Sequence, residues 1–169
     1  MRLLLVIPCL IFTVISLLVY PINAQVIFMT NWGSHLTISS IISSWYLGRT
    51  NPVTPQPVSH ARGLAFSTIL MMEAGLIMQI LIVGIYWPLI HENFMQRISG
   101  KPNFAIEYWN TLFKHSYPAA AILANIMFSK IAFIRSHYIY CIRIGVVYAV
   151  LNYWGTMTRG YPLYPFLTW

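Results

Sequence analysis

Residues 64–88 read LAFSTILMMEAGLIMQILIVGIYWP, and this stretch decides the fold. Glu73 is its one charge, with Gln79 six residues on. About 20 apolar residues in a helix cross the hydrocarbon core of a bilayer, so the run is long enough to span. Similar runs lie on either side, near residues 3–20, 31–47, 108–128 and 138–157. The run lengths predict an all-α, polytopic membrane helix bundle of about five transmembrane helices, formed as one integral membrane domain over residues 1–169.

Composition agrees with that class. Of 169 residues, 58% are apolar and 8% charged, and the mean hydropathy is +0.66. A soluble domain of this size carries about a quarter charged residues. So few charges cannot solvate a surface, and the missing solvent is lipid or partner protein. Ten Lys/Arg stand against three acids. On a soluble chain that balance points to nucleic acid. Here the bases stand singly, mostly at span ends, where they serve as snorkelling anchors and topology signals. No basic run exists to release counterions from a nucleic acid, so nucleic acid is not an expected partner. Cys9 and Cys141 both lie in apolar runs and imply neither a disulfide framework nor a metal site.

The first span has a basic start, and Ile22-Asn23-Ala24 after it has the look of a weak signal-peptidase site. We read the run as a retained anchor, with Pro8 as a kink and Pro21 as its end. The second span is rich in Ser and Thr, which let helices approach closely and bond across. Trp32 and Trp45 stand at its ends like interface anchors. A loop from Arg49 to Gly63 follows, kept extended by Pro52, Pro55 and Pro57. A polar amphipathic loop is expected from Ile90 to Glu107. The tail from Gly160 to Trp169 carries two prolines and four aromatics, and is expected at the interface. Alternate loops hold Arg2, Arg49, Arg62, Lys130 and Arg135 against Arg97, Lys101 and Arg159. That excess favours the amino terminus on the cytoplasmic or matrix side.

Two polar marks stand out against the apolar background: Thr30-Asn31-Trp32 at the mouth of the second span and His115-Ser116-Tyr117-Pro118 inside the fourth. A hydroxyl and an imidazole at hydrocarbon depth are costly unless paired. The plain reading makes Thr30 a helix N-cap and His115 a ring bonded to a neighbouring helix. Together they also suggest a Thr nucleophile with a His base, which is Ser-His logic on a different hydroxyl. Pro118 cannot bond back to the carbonyl of residue 114, which loosens a polar pocket there. No neighbouring acid completes a triad, though Glu73 is at mid-membrane depth and could orient the imidazole. Glu73, Lys114 and Arg143 form a second polar set, expected to face inward and pair as structural groups. A transport path would need further acids, and the chain has none. The five histidines do not fall in same-helix pairs that clamp haem, no zinc spacing or phosphate loop occurs, and neither metal nor cofactor is expected.

With those residues in view, the chain resembles the androgen-induced, or androgen-dependent, family of multi-spanning membrane threonine hydrolases, whose vertebrate members cleave fatty-acid esters of hydroxy fatty acids. The matching pieces are Phe28-Met29-Thr30-Asn31-Trp32, His115-Ser116-Tyr117-Pro118-Ala119 and Tyr161-Pro162-Leu163-Tyr164-Pro165, in the family's order and spacing. The resemblance extends over residues 25–169, with about a dozen positions carrying it. It implies that Thr30 is the nucleophile and His115 the base. The family continues into a sixth helix after its Tyr-Pro segment, whereas this sequence stops at Trp169.

Two functions follow. A bundle lacking the family's closing helix is expected to need a neighbour on the bared face. The sequence therefore favours a non-catalytic accessory subunit of a larger membrane complex, such as a respiratory or ATP synthase assembly of the mitochondrial inner membrane. The alternative is an intramembrane threonine hydrolase of lipid esters using Thr30 and His115, in the endoplasmic reticulum or plasma membrane. Other membrane subunits and lipids are the expected partners.

Overall fold

The computed structural model of the chain describes residues 2–19, 26–50, 59–129, 133–162 and 164. Those residues form helices and no strands. We number them α1 (Arg2–Val19), α2 (Met29–Thr50), α3 (Ser59–Ile85), α4 (His91–Ile98), α5 (Phe104–Phe128) and α6 (Tyr138–Arg159). The five long helices cover the five apolar runs. The fold class is thus all-α.

The passage from α3 to α4 differs from expectation. A π-helical turn, Tyr86–Ile90, joins them without a break, so much of the expected polar loop from Ile90 to Glu107 is helical. Pro88 lies within that turn and has no N–H for the helical ladder. A widened turn accommodates the gap, and such turns recur at functional sites. The chain reverses only after Ile98, with Gly100 at φ 83°, a left-handed conformation that favours glycine. The continuous helix Arg62–Ile98 is long and apolar enough to cross a membrane, alone among the described residues; Leu3–Leu18 is apolar but shorter. Ser and Thr dilute α2, and Asn, Lys and His dilute α5.

Helix α2 packs along α3 over the longest contact in the bundle, with α1 and α5 completing the group. Small residues make the close approach. A Cβ on Gly33 would meet Ile82 Cδ1 at 2.8 Å and Gln79 Nε2 at 2.9 Å. The apolar centre is Val6, Cys9, Ile38, Ile41 and Ala121, and Phe12 of α1 stacks on Phe113 of α5 at 4.5 Å. Between them runs a polar seam. Ser40 and Ser44 return their hydroxyls to carbonyls of their own helix. Gln79 Nε2 reaches Thr37 Oγ1, and Asn125 Nδ2 reaches Ser44 Oγ, both at 3.4 Å. Hydroxyls and amides with partners inside the bundle are tolerated where unpaired ones are not.

The second polar set is not arranged as expected. Glu73 pairs with neither Lys114, Arg143 nor His115. Its carboxylate accepts the Ile134 N–H at 2.6 Å and faces His137 Nδ1 at 2.8 Å. The segment before α6 folds over α3 at the depth of Glu73, and this supplies the partners. Arg143 does not face inward: it is exposed, with its guanidinium 5.6 Å from the centre of the Tyr140 ring. Trp32 is docked on the protein, donating to the Val26 carbonyl at 2.7 Å. The outer face of α6 is apolar and bare, with Ile142, Val146, Val150 and Trp154 all more than half exposed. Of the carboxyl tail, Leu163 and residues 165–169, with the Phe166 and Trp169 expected at the interface, lie outside the described residues. Lys130 and the proline loop at 51–58 also lie outside them.

Candidate active site

Thr30 lies in the first turn of α2, just after Phe28 interrupts the helical backbone. It is not left as a simple cap. Its Oγ1 is 3.3 Å from His115 Nε2 on α5, across 85 residues of sequence. The other ring nitrogen, Nδ1, is 2.8 Å from the Thr111 carbonyl of the preceding turn. A carbonyl only accepts, so Nδ1 carries the proton and Nε2 presents its lone pair to the Thr30 hydroxyl. Thr30 then donates. This is the tautomer a general base requires.

Other groups hold that pair. Tyr86, from the π-helical turn, stacks on the His115 ring with centroids 3.7 Å apart and planes at 16°. Its hydroxyl is 3.1 Å from His91 Nδ1. Lys114 points its ammonium at Ser16 Oγ on α1 and at Asn31 Oδ1, the latter at 3.1 Å. On the far side of Thr30, the Met29 N–H donates to the Tyr164 hydroxyl at 3.3 Å. The Tyr148 hydroxyl lies 3.4 Å from that of Tyr164 and 3.3 Å from the Ile27 carbonyl. Burial pushes the Tyr164 phenol above its ordinary pKa, which keeps it protonated.

Of these, Thr30, Asn31, Tyr86, Lys114, His115 and Tyr164 line one cavity of about 500 Å³. Ligand cavities of roughly 300–1,000 Å³ are usual for small organic molecules. Phe28, Leu89, Ile90 and Phe94 give it apolar walls, and Arg97, Lys114 and Arg159 line it as cations. Among the described residues, no Asp or Glu lines it. The arrangement sets a hydroxyl, a correctly tautomerised imidazole and fixed positive charge around a space large enough for an acyl chain.

Thr30, His115 and Lys114 therefore come together, while Glu73 and Arg143 do not join them. The sequence does not assign Tyr86, Asn31 or Tyr164 a role in the site. Asn31 adjoins Thr30, and Tyr164 belongs to the quoted Tyr-Pro segment, but nothing in their local pattern specifies the contacts. No protein-family model, no curated protein and no solved structure matches the chain.

Proposed function

We propose that the chain is an integral membrane hydrolase that cleaves lipid esters through a threonyl-acyl intermediate. The observation that carries this reading is the 3.3 Å contact of Thr30 Oγ1 with His115 Nε2, with Nδ1 held at 2.8 Å by the Thr111 carbonyl. In the first step Thr30 Oγ1 bonds to the ester carbonyl carbon while its proton passes to His115 Nε2. The carbonyl oxygen becomes an oxyanion, stabilised by the Lys114 ammonium. The intermediate collapses by breaking the bond to the alcohol oxygen, which leaves with the proton from His115. Water then attacks the acyl-Thr30 carbonyl with His115 again as base, releasing the acid and restoring Thr30. The resemblance to the threonine hydrolase family supports the same roles. In this reading all five long helices lie across the bilayer, and α6 presents its apolar face to lipid.

Acyl transfer to Thr30 is the test. The purified protein in detergent micelles, mixed with a para-nitrophenyl fatty ester and quenched in acid, should carry the acyl mass on the peptide containing Thr30. No acyl adduct and no turnover would remove the reading.

A second reading, the accessory subunit of a mitochondrial inner-membrane complex, is favoured by the bare apolar face of α6. Aliphatic and aromatic side chains stand out along that helix, and a neighbouring subunit would cover them as readily as lipid. Native-size separation from membranes decides it. Migration within a much larger assembly supports the subunit; migration as a lone small species supports the hydrolase.

A further inference from the structure

A hydroxyl–histidine pair usually leans on a carboxylate that steadies the imidazolium formed when the base takes its proton. Among the described residues, no acid lines the Thr30–His115 cavity. The chain has three acids, all glutamates. Glu73 is engaged by His137 and the Ile134 N–H. Glu107 faces Lys101 at 3.3 Å. Glu92 is exposed on α4. What lies against the imidazole is Tyr86, only 3% exposed and stacked on the ring at 3.7 Å.

We infer that Tyr86 is the positioning residue of the Thr30–His115 pair, taking the part that a carboxylate plays elsewhere. The inference rests on the hydrolase reading. Near-parallel planes leave both in-plane nitrogens of His115 free for their hydrogen bonds, Nδ1 to Thr111 and Nε2 to Thr30. The face of the ring, which makes no hydrogen bond, meets the π cloud of Tyr86. A cation above an aromatic face is attracted by the ring quadrupole. The neutral imidazole gains little from that field and the imidazolium gains more, so the stack favours the charged state that proton transfer creates. Tyr86 exchanges no proton. The contact of its hydroxyl with His91 at 3.1 Å fixes its rotation, and the π-helical turn brings it over α5.

The test replaces Tyr86 by Phe, then by phenylalanines of increasing ring fluorination, which keep the shape and drain the π cloud. Hydrolysis of a para-nitrophenyl fatty ester is followed in micelles, with Thr30→Ala assayed alongside. Tyr86→Phe, which keeps the stacked ring and loses the bond to His91, is the reference for the series. The most fluorinated ring should lose roughly tenfold in kcat, falling stepwise through the series with KM unchanged. A flat series beside an inactive Thr30→Ala overturns the role of Tyr86 and leaves the hydrolase standing. Thr30→Ala as active as the parent overturns both.

Discussion

The Thr111 carbonyl lies 2.8 Å from His115 Nδ1, one turn away on the same helix. That contact sets the chemical character of the site. Without it the imidazole could present either tautomer to Thr30; with it, the nitrogen at 3.3 Å from the Thr30 hydroxyl is an acceptor. The orienting group is a backbone atom, built into α5 by the i to i−4 spacing of the two residues. No side-chain substitution can remove it without removing the helix turn.

The pair should therefore respond sharply to changes in either member. Thr30→Ala should lower ester turnover by at least about 10³-fold, and His115→Gln by about 10²–10⁴-fold, as expected for a nucleophile and a general base. Thr30→Ser keeps the hydroxyl and should keep measurable turnover. Circular dichroism should show unchanged helicity in all three, because the substitutions leave the backbone hydrogen bonds of α2 and α5 in place. Equal rates for Thr30→Ala and the parent would refute the nucleophile.

Lys114 lines the cavity beside His115, and the proposed mechanism sets its ammonium against the developing oxyanion. Lys114→Met keeps the stem and removes the ammonium. The expected loss is about 10²–10³ in kcat with KM within a few fold, the pattern of an interaction made in the transition state. A change confined to KM would assign Lys114 to substrate binding instead.

Glu73 and His137, both 6% exposed in their side chains, fasten the segment before α6 to α3. Glu73→Ala strips the acceptor from the Ile134 N–H and from His137 together. Breaking a buried pair from one side costs about 3–5 kcal/mol. Glu73→Gln retains one acceptor oxygen and should cost about half as much. Unfolding in mixed micelles under denaturant reads both values. Ester turnover of the folded fraction should be unchanged, since neither residue lines the cavity.

The helices were legible because hydrophobic run length is a one-dimensional property, readable at residues 64–88 without knowing any neighbour. Thr30 and His115 were legible for a related reason: a polar side chain in such a run must find a partner, and few candidates exist. The partner of Glu73 was not legible. His137 sits at a span boundary and reads as a loop residue, and only the fold-back before α6 brings it to Glu73. Arg143 fails in the opposite sense. Its place within an apolar run suggests burial, but a position on a run does not say which side of the helix faces the bundle. The π-helical turn at Tyr86–Ile90 was hidden because Pro88 reads equally well as a helix end.

Two glycines should respond to alanine with opposite signs. At Gly145 a Cβ meets nothing within 4 Å, so the substitution gains helix propensity, about 0.5–1 kcal/mol. At Gly33 the same Cβ lies 2.8 Å from Ile82 Cδ1 and 2.9 Å from Gln79 Nε2. Gln79 is fully buried and already bonded to Thr37, which limits its retreat. Overpacking costs of about 1–3 kcal/mol exceed the propensity gain, and Gly33→Ala should be net destabilising. Thermal melting in detergent separates the two. Stabilisation by both would mean that α2 and α3 lie further apart than described.

The last prediction concerns Tyr164, whose hydroxyl accepts the Met29 N–H at 3.3 Å at the head of the helix that carries Thr30. The first amides of a helix have no partner within it. Tyr164→Phe leaves the Met29 N–H without this acceptor, which costs about 1–3 kcal/mol where water is excluded. It also frees the turn that aims Thr30 at His115. Both the melting temperature and kcat should fall, with kcat down by roughly tenfold. The pH dependence carries a definite sign. Burial raises the phenol above its unfolded value of about 10, so its contribution to stability is fully present below that value. It is lost as pH rises through the folded pKa. The parent should therefore lose more stability than Tyr164→Phe across that alkaline range, and the two melting curves should converge there. Curves that stay parallel would mean that the phenol titrates alike in the folded and unfolded chain.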